Sequence, residues 1–289
     1  MHRFIVFLLA LALVPAALWA GPKGKPDIVV MTQNQYLGAD LTPIIAAGDP
    51  VEYNLAVLEA LATVAANNTP ERVQALAESI LERSPQLVGL QEMYRFECIE
   101  AGTPWSDCSL FEAAMNDHLE LTLAALGPGY YEAATVNNLD LPGLPVFLNP
   151  SPGPMDGPDV FISVLDRDVI LARSDVAAAP VPFPCVAFGQ AESGDGCNYA
   201  FLAEASLPDG TPLPILRGFV AVDATIGGAD YRFVNTHLEV QYPAPTPAAP
   251  VVQAVQMTEL IGVLSLTLPM VDTPRLLLVG DINSYPLHP

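Results

Sequence analysis

Five polar residues of the 289-residue chain each follow an apolar run, and their types are those that bind a hard cation and move protons. Asn34 closes VVMTQN, Glu92 closes LVGLQE, His237 lies in FVNTHLE, and Asp281 and Asn283 follow LLLVG in the segment GDIN. A carboxylate such as Glu92 supplies the anchoring oxygen that a magnesium-sized ion prefers, with the Asn34 amide as a neighbour. His237 and Asp281 can hold or transfer a proton, and Asn283 offers amide N–H groups. Each residue alone reads as ordinary: a glutamate at a strand end is a solvated edge, a single histidine is a hydrogen-bonded surface or core residue, and Gly-Asp is a common strand exit. The chemistry needs strands that end together and bring all five into one cleft.

The elements that must do this are legible in the pattern. Residues 27–34 have the Val, Ile and Thr content of a strand. Residues 51–66 are helical in character. Residues 71–84 are more clearly so, with Val73, Leu76, Ala77, Ile80 and Leu81 at helical intervals, until Ser84-Pro85 stops the helix. The short, nearly all-apolar run 87–93 predicts a buried strand with an acid at its tip. Residues 109–126 read as helix and 130–138 as extended, while 141–158 is crowded with Pro and Gly and reads as a long surface loop. Within that loop Leu144, Val146, Phe147 and Leu148 form either an apolar wedge or a packed excursion, the packed reading being favoured. Strands are predicted at 160–165, 168–173, 199–207, 216–226 and 231–238, with Gly227-Gly228 as a hairpin turn between the last two. The segment 251–266 interleaves Gln253, Gln256 and Glu259 with apolar residues and predicts a packed helix, and 275–283 closes the pattern as another buried strand.

Composition bounds the partners. At 51% hydrophobic and 15% charged the chain can fill a core, which excludes disorder as its main state. Lys and Arg total 11 against 32 Asp and Glu, a formal charge of -21, so extended duplex DNA is a poor partner and a groove-tracking nucleic-acid binder is excluded. Residues 1–20 have the positive start, apolar run and small residue at Ala20 of a secretory signal peptide. A flexible leader, 21–26, and one domain, 27–289, follow it. The expected location is secreted or periplasmic, with no transmembrane segment once the signal is removed, and the expected state is a monomer. Cys98 with Cys108 and Cys185 with Cys197 form two local pairs, assigned most simply as disulfides, zinc ligation being the alternative without CxxC spacing. A calcium-buffering protein would need DxDxDG loops, which the sequence lacks.

In order, the stretches VMTQNQYLGADL, LVGLQEM, DRDVILARSD, RGFVAVDATIGGADYRFVNTHLE and LLLVGDINS resemble the endonuclease/exonuclease/phosphatase superfamily of metal-dependent phosphoesterases, which includes deoxyribonuclease I-like enzymes and bacterial sphingomyelinases. The resemblance spans 27–289. It implies an α+β fold, a two-sheet β-sandwich flanked by helices in four α/β/β/α layers, with the active site at one edge of the sandwich. It also implies a Mg2+ cofactor, with Mn2+ or Ca2+ as substitutes, held by Glu92 and Asn34. His237 would stand beside the phosphate, where a protein this negative favours the imidazolium, Asp281 would serve water or leaving group, and Asn283 would hold a phosphate oxygen. Arg167 and Asp168 of DRDVILAR resemble a segment on the substrate side, the alternative being a surface ion pair. The substrate expected is a small phosphodiester, a phospholipid headgroup or nucleic acid. One departure matters: related chains continue into a Ser-Asp-His motif, whereas six residues follow Asn283 here, and His288 is a poor substitute. The expectation is a sandwich lacking its last strands, with apolar sheet edge exposed and turnover impaired. The rival reading is a non-catalytic remnant or binding protein of the same fold.

Overall fold

The computed structural model describes residues 28–149, 157–206, 210, 212–240, 249–269 and 273–284. The expected signal peptide and leader, and His288, lie outside them. In chain order the elements are β1 (Val30–Asn34), α1 (Thr42–Ala46), α2 (Pro50–Ala66), α3 (Thr69–Arg83), β2 (Leu87–Gln91), β3 (Arg95–Glu100), α4 (His118–Leu126), β4 (Tyr130–Val146), β5 (Val160–Arg173), β6 (Ala178–Pro180), β7 (Ala191–Ser193), β8 (Gly196–Asn198), β9 (Ala203–Ser206), β10 (Pro212–Ile215), β11 (Gly218–Ile226), β12 (Ala229–His237), α5 (Ala249–Thr267) and β13 (Arg275–Asp281).

Two mixed sheets are flanked by helices. In the first, β1 lies parallel to β2, and β2 and β3 pair with opposite ends of one edge of β5, whose other edge carries β4. In the second the order is β13-β12-β11-β8-β7, with β12 and β13 parallel, while β9 and β10 form a separate hairpin. Side chains alternate between faces along a strand, and both sheets use this. Leu87, Val136, Ile170 and Ala172 of the first sheet meet Val220, Val222, Tyr231 and Phe233 of the second in the sandwich core. On the outer face of the first sheet, Val88, Leu90, Val169 and Leu171 pack against Ala77 and Ile80 of α3 and Leu119 and Leu126 of α4. On the outer face of the second, Phe219, Ala221 and Val234 pack against Leu260, Val263 and Leu264 of α5. That makes four layers, α/β/β/α. By length and composition α5 could also cross a membrane, but its inward face is committed to this sheet.

Several elements differ from the sequence pattern. The stretch read as a loop from 141 continues β4 to Val146 by way of a register shift between Leu141 and Leu144, where Pro142 and Gly143 are accommodated at a bulge on a strand whose partner β5 is long. Residues 160–173 are one strand where two were expected, and β3 was not legible. Val146 is fully buried, and Leu144 and Leu148 pack against the core around α1 and α2, so the apolar wedge is a packed excursion. The strand expected to be buried at 275–283 is an edge, with Leu276 42% and Leu278 39% exposed. Both cysteine pairs are closed as disulfides, Cys98–Cys108 and Cys185–Cys197, the bonding suited to an oxidising compartment.

The sheets are tied at mid-sandwich by Asn235, which is fully buried. Its Nδ2 donates to the carbonyls of Leu90 (2.9 Å) and Val169 (3.1 Å), and its Oδ1 accepts from Gln91 Nε2 (2.6 Å). Gly89 makes room for this contact, because a Cβ there would overlap Asn235 Oδ1 and Val279. Asn235→Leu would remove three buried hydrogen bonds to the facing sheet, and should destabilise the fold by roughly 3 kcal/mol in urea unfolding.

His118 opens α4 fully buried and edge-on to Tyr94. Burial, and then the Arg72 guanidinium, lower its pKa from 6.5 to about 4. A base depressed on folding contributes stability above its unfolded pKa and loses it as pH falls through the folded value. Denaturant titrations should therefore show the wild type losing up to about 3 kcal/mol relative to His118→Gln as pH drops from 6.5 towards 4.

Candidate active site

Parallel pairing aligns strand ends. The register sets Asn34 beside Gln91 at the ends of β1 and β2, and His237 beside Asp281 at the ends of β12 and β13. Alternation does the rest: His237 shares the inner face of β12 with Tyr231, Phe233 and Asn235, and Asp281 shares the inner face of β13 with Leu277 and Val279. Gly280, at φ 142°, lets β13 approach β12 where a Cβ would overlap the Thr236 carbonyl.

The centre of the site is the side chain of Asn34. Its Oδ1 accepts from the Tyr36 backbone N–H at 2.7 Å, which aims Nδ2 at two carboxylates, Glu92 Oε1 at 2.8 Å and Asp281 Oδ2 at 2.9 Å. Two acids from different sheets thus flank one nitrogen. Glu92 Oε2 accepts from the Leu37 backbone at 2.7 Å, and the 35–36 turn is held by Arg72, which donates to both of its carbonyls. Asp281 Oδ1 accepts from the Asn283 backbone at 2.9 Å, while Asn283 Nδ2 donates to the Leu238 carbonyl at 2.8 Å and lies 3.0 Å from His237 Nε2. His237 Nε2 is 3.9 Å from Asp281 Oδ2. Glu92, Asn283 and Tyr36 all have positive φ, at 58°, 53° and 59°. Non-glycine residues held in the left-handed region concentrate where a site over-determines its backbone.

His237 is the main electrostatic departure from expectation. Its side chain is 2% exposed, and burial followed by the Arg217 guanidinium, whose Nη1 lies 3.3 Å from Nδ1, hold its pKa well below 6.5. Lost hydration and the nearby guanidinium favour the neutral ring over the imidazolium that the net charge favoured, because both act at closer range than a diffuse, screened field. Arg217 remains cationic, since the Glu239 and Asp166 carboxylates more than offset its burial. Glu239 lies 3.8 Å from Arg217 and is 1% exposed. Burial, and then Glu92, push Asp166 up to about 7.

Arg217, Glu239, Asp166 and Tyr94 had not been picked out from the sequence. Two of them carried a signal. Glu239 is two residues from His237 and Asp166 two from Asp168, the spacing that shares a strand face.

The pair Arg167 and Asp168 splits for the same reason. Asp168 faces the sandwich interior fully buried, where desolvation and then Asp166 raise its pKa, and Asn138 lies against it. Arg167 faces the helices, donating from Nη2 to Asp117, the N-cap of α4, at 2.5 Å and from Nε to the Met93 carbonyl at 3.0 Å. It is a buried tether, neither a surface pair nor a group brought to the cluster. Glu92, Asn34, His237, Asp281 and Asn283 come together, Asp168 lies beneath them, and Arg167 does not join.

The site offers oxygen donors to a hard cation from Glu92 and Asp281, whereas Asn34 turns its amide nitrogen, not its oxygen, toward them. Among the described residues no group of three His, Cys, Asp or Glu side chains is placed to hold a metal ion. A carboxylate pair beside an amide instead matches Mg2+ or Mn2+, which keep several waters, better than a Ca2+ cage of six to eight oxygens.

No protein-family model matches the sequence, and no curated protein matches it. Among solved structures the chain is similar to an endonuclease/exonuclease/phosphatase from Beutenbergia cavernae, at 18% identity over 92% of this chain and 50% of that one, TM-score 0.40. It is similar to an endonuclease/exonuclease/phosphatase family protein from Leptotrichia buccalis, at 13% identity over 76% of this chain and 63% of that one, TM-score 0.40. A mannosyl-6-phosphatase from Bacteroides thetaiotaomicron is similar at 16% identity over 91% of this chain and 67% of that one, TM-score 0.41. The chain spans about half to two thirds of the length of these three.

The electrostatics of His237 are testable by NMR of its ring resonances. They should stay those of neutral imidazole through the range around pH 6.5 where a free histidine titrates, and Arg217→Gln should move the midpoint upward.

Proposed function

We propose that this chain is an exported, divalent-cation-dependent hydrolase of phosphoric esters, a member of the endonuclease/exonuclease/phosphatase superfamily acting on a small phosphodiester, a phospholipid headgroup or a short nucleic acid. One observation carries the reading: the Asn34 amide holds Glu92 and Asp281 together, with His237 and Asn283 alongside. Glu92, with Asn34 and Asp281 beside it, would hold Mg2+ or Mn2+. When bound, the ion would offset phosphate charge and polarise the phosphoryl oxygen. An ion is favoured on charge, because Glu92, Asp281 and Glu239 outnumber the two guanidinium groups near them, Arg217 and Arg72, and would weaken binding of an anionic ester in its absence.

The remaining residues divide the work by their chemistry. Asp281, fixed by Asn34 and by the Asn283 backbone, would orient a water and take its proton. Asn283 and the neutral His237 ring would offer hydrogen bonds to the non-bridging oxygens, contributing directionality without charge. Arg217 and Asp166 are positioning groups, one holding the His237 ring and the other facing Arg217 from β5. Export is supported by the two disulfides and by the signal-peptide pattern of residues 1–20. Duplex DNA fits poorly, because beyond the leader the chain has eight arginines and no lysine.

Calorimetric titration with Mg2+ or Mn2+, together with hydrolysis of bis(p-nitrophenyl) phosphate, tests this. One hard-cation site should weaken by about 10–100-fold in Glu92→Gln, and Asp281→Ala should lower kcat by at least about a hundredfold while leaving the fold intact. A folded protein that binds the ion yet turns over no ester would assign the site to binding instead.

A further inference from the structure

Beside the polar cluster lies a cavity of about 440 Å³ that the proposed chemistry does not use. Its walls are Ile44 of α1, Val57 and Leu61 of α2, and Leu141, Ile162 and Val164 of the β4–β5 hairpin. Ile44, Val57, Leu61, Ile162 and Val164 are each less than a tenth exposed. Packed interiors leave few voids larger than a water molecule, and an apolar void holds no ordered water, so this volume is an unfilled site and not ordinary core. It falls in the size range of small-molecule pockets.

The cavity is continuous with the candidate active site. Glu92, which shares Asn34 with Asp281, and Arg217, which contacts His237, both line it. Glu239 Oε2 and Asp166 Oδ1, also on its wall, are buried with no hydrogen-bond partner among the described residues, so polar atoms crowd one part of an otherwise apolar chamber. Exposed Tyr36, Asp40 and Thr42 mark its rim. A ligand that fits both regions has a phosphate at one end and an uncharged hydrocarbon group at the other.

We infer that the cavity between α1–α2 and the β4–β5 hairpin takes the hydrocarbon substituent of the substrate, making the preferred ester an alkyl- or acyl-chain phosphodiester, not a sugar phosphate or a nucleotide. The inference rests on the hydrolase reading for the placement of the phosphate, but the hydrocarbon site can be measured without turnover. Burying one methylene changes affinity roughly fourfold. A small side chain on the wall offers a clean variant: Ala60 of α2 lines the cavity, and leucine there keeps helix propensity while filling the space.

The test compares methyl, butyl, octyl and decyl p-nitrophenyl phosphates as substrates with Mg2+ or Mn2+, and the corresponding alkylphosphonates as calorimetric ligands. On the full-length wild type, kcat/KM and phosphonate affinity should rise about fourfold per methylene and then level off as the cavity fills. Ala60→Leu should flatten that dependence while leaving the methyl ester rate and the melting temperature unchanged. Ile45→Phe, on the α1 part of the wall, gives a second variant should the first melt early. Wild-type rates and affinities that ignore chain length would overturn the inference while leaving the hydrolase reading standing. If no ester is turned over but phosphonate affinity follows chain length and Ala60→Leu removes the trend, the cavity stands and the hydrolase reading falls. Comparing monomeric decyl ester with the same ester diluted into phosphatidylcholine vesicles separates a soluble amphiphile from a bilayer lipid as its source, either of which keeps the inference.

Discussion

At mid-sandwich the offset of the two sheets along their strands is fixed by a buried amide, Asn235, and the polar cluster depends on that offset. Asn235 satisfies two carbonyls and one side-chain amide of the facing sheet, and it can do so only because Gly89 leaves space for it. It sits two residues before His237, while its partner Gln91 immediately precedes Glu92. A slip of one residue would orphan these groups in a dry interior and turn every inward side chain outward. The same contact that aligns the sandwich therefore aligns the acids at its edge.

Given that alignment, the local charges follow from who can reach whom. A chain of net charge -21 concentrates carboxylates from both sheets around Asn34 and sets two guanidinium groups, Arg217 and Arg72, near them. Arg217 acts chiefly on Glu239, Asp166 and the His237 ring, and Arg72 holds the 35–36 turn beside Glu92. The positive backbone angles at Glu92 and Asn283 belong to the same arrangement, since each residue must turn its side chain back over a strand that has just ended.

Much of this was visible in the order of residues. The α2 and α3 helices, the β11–β12 hairpin at Gly227-Gly228 and the polar strand ends all follow from periodicity and turn chemistry. Strand continuity was harder to read: β4 runs through Pro142 and Gly143 because β5 offers a long partner edge, an interaction remote in sequence. The burial of β13 was overestimated for a related reason, since its apolar run resembles a central strand while its position is an edge. At the site, Arg217 was invisible because nothing about one arginine before a strand says that it will be enclosed beneath a histidine on the next strand.

Taken alone, the sequence determined which residues could do chemistry, that they end strands, that the cysteines pair locally, and that extended polyanions are poor partners. These are properties of residue type, spacing and total charge, and they survive any arrangement of the strands. Tertiary structure alone decided that Arg167 is a tether and Asp168 a buried acid, that the neutral ring of His237 is favoured, and that a hydrocarbon-lined chamber opens beside the acids. Those outcomes depend on which face of a strand is enclosed and on what stands within a few ångströms, and folding brings those neighbours from far apart in the chain.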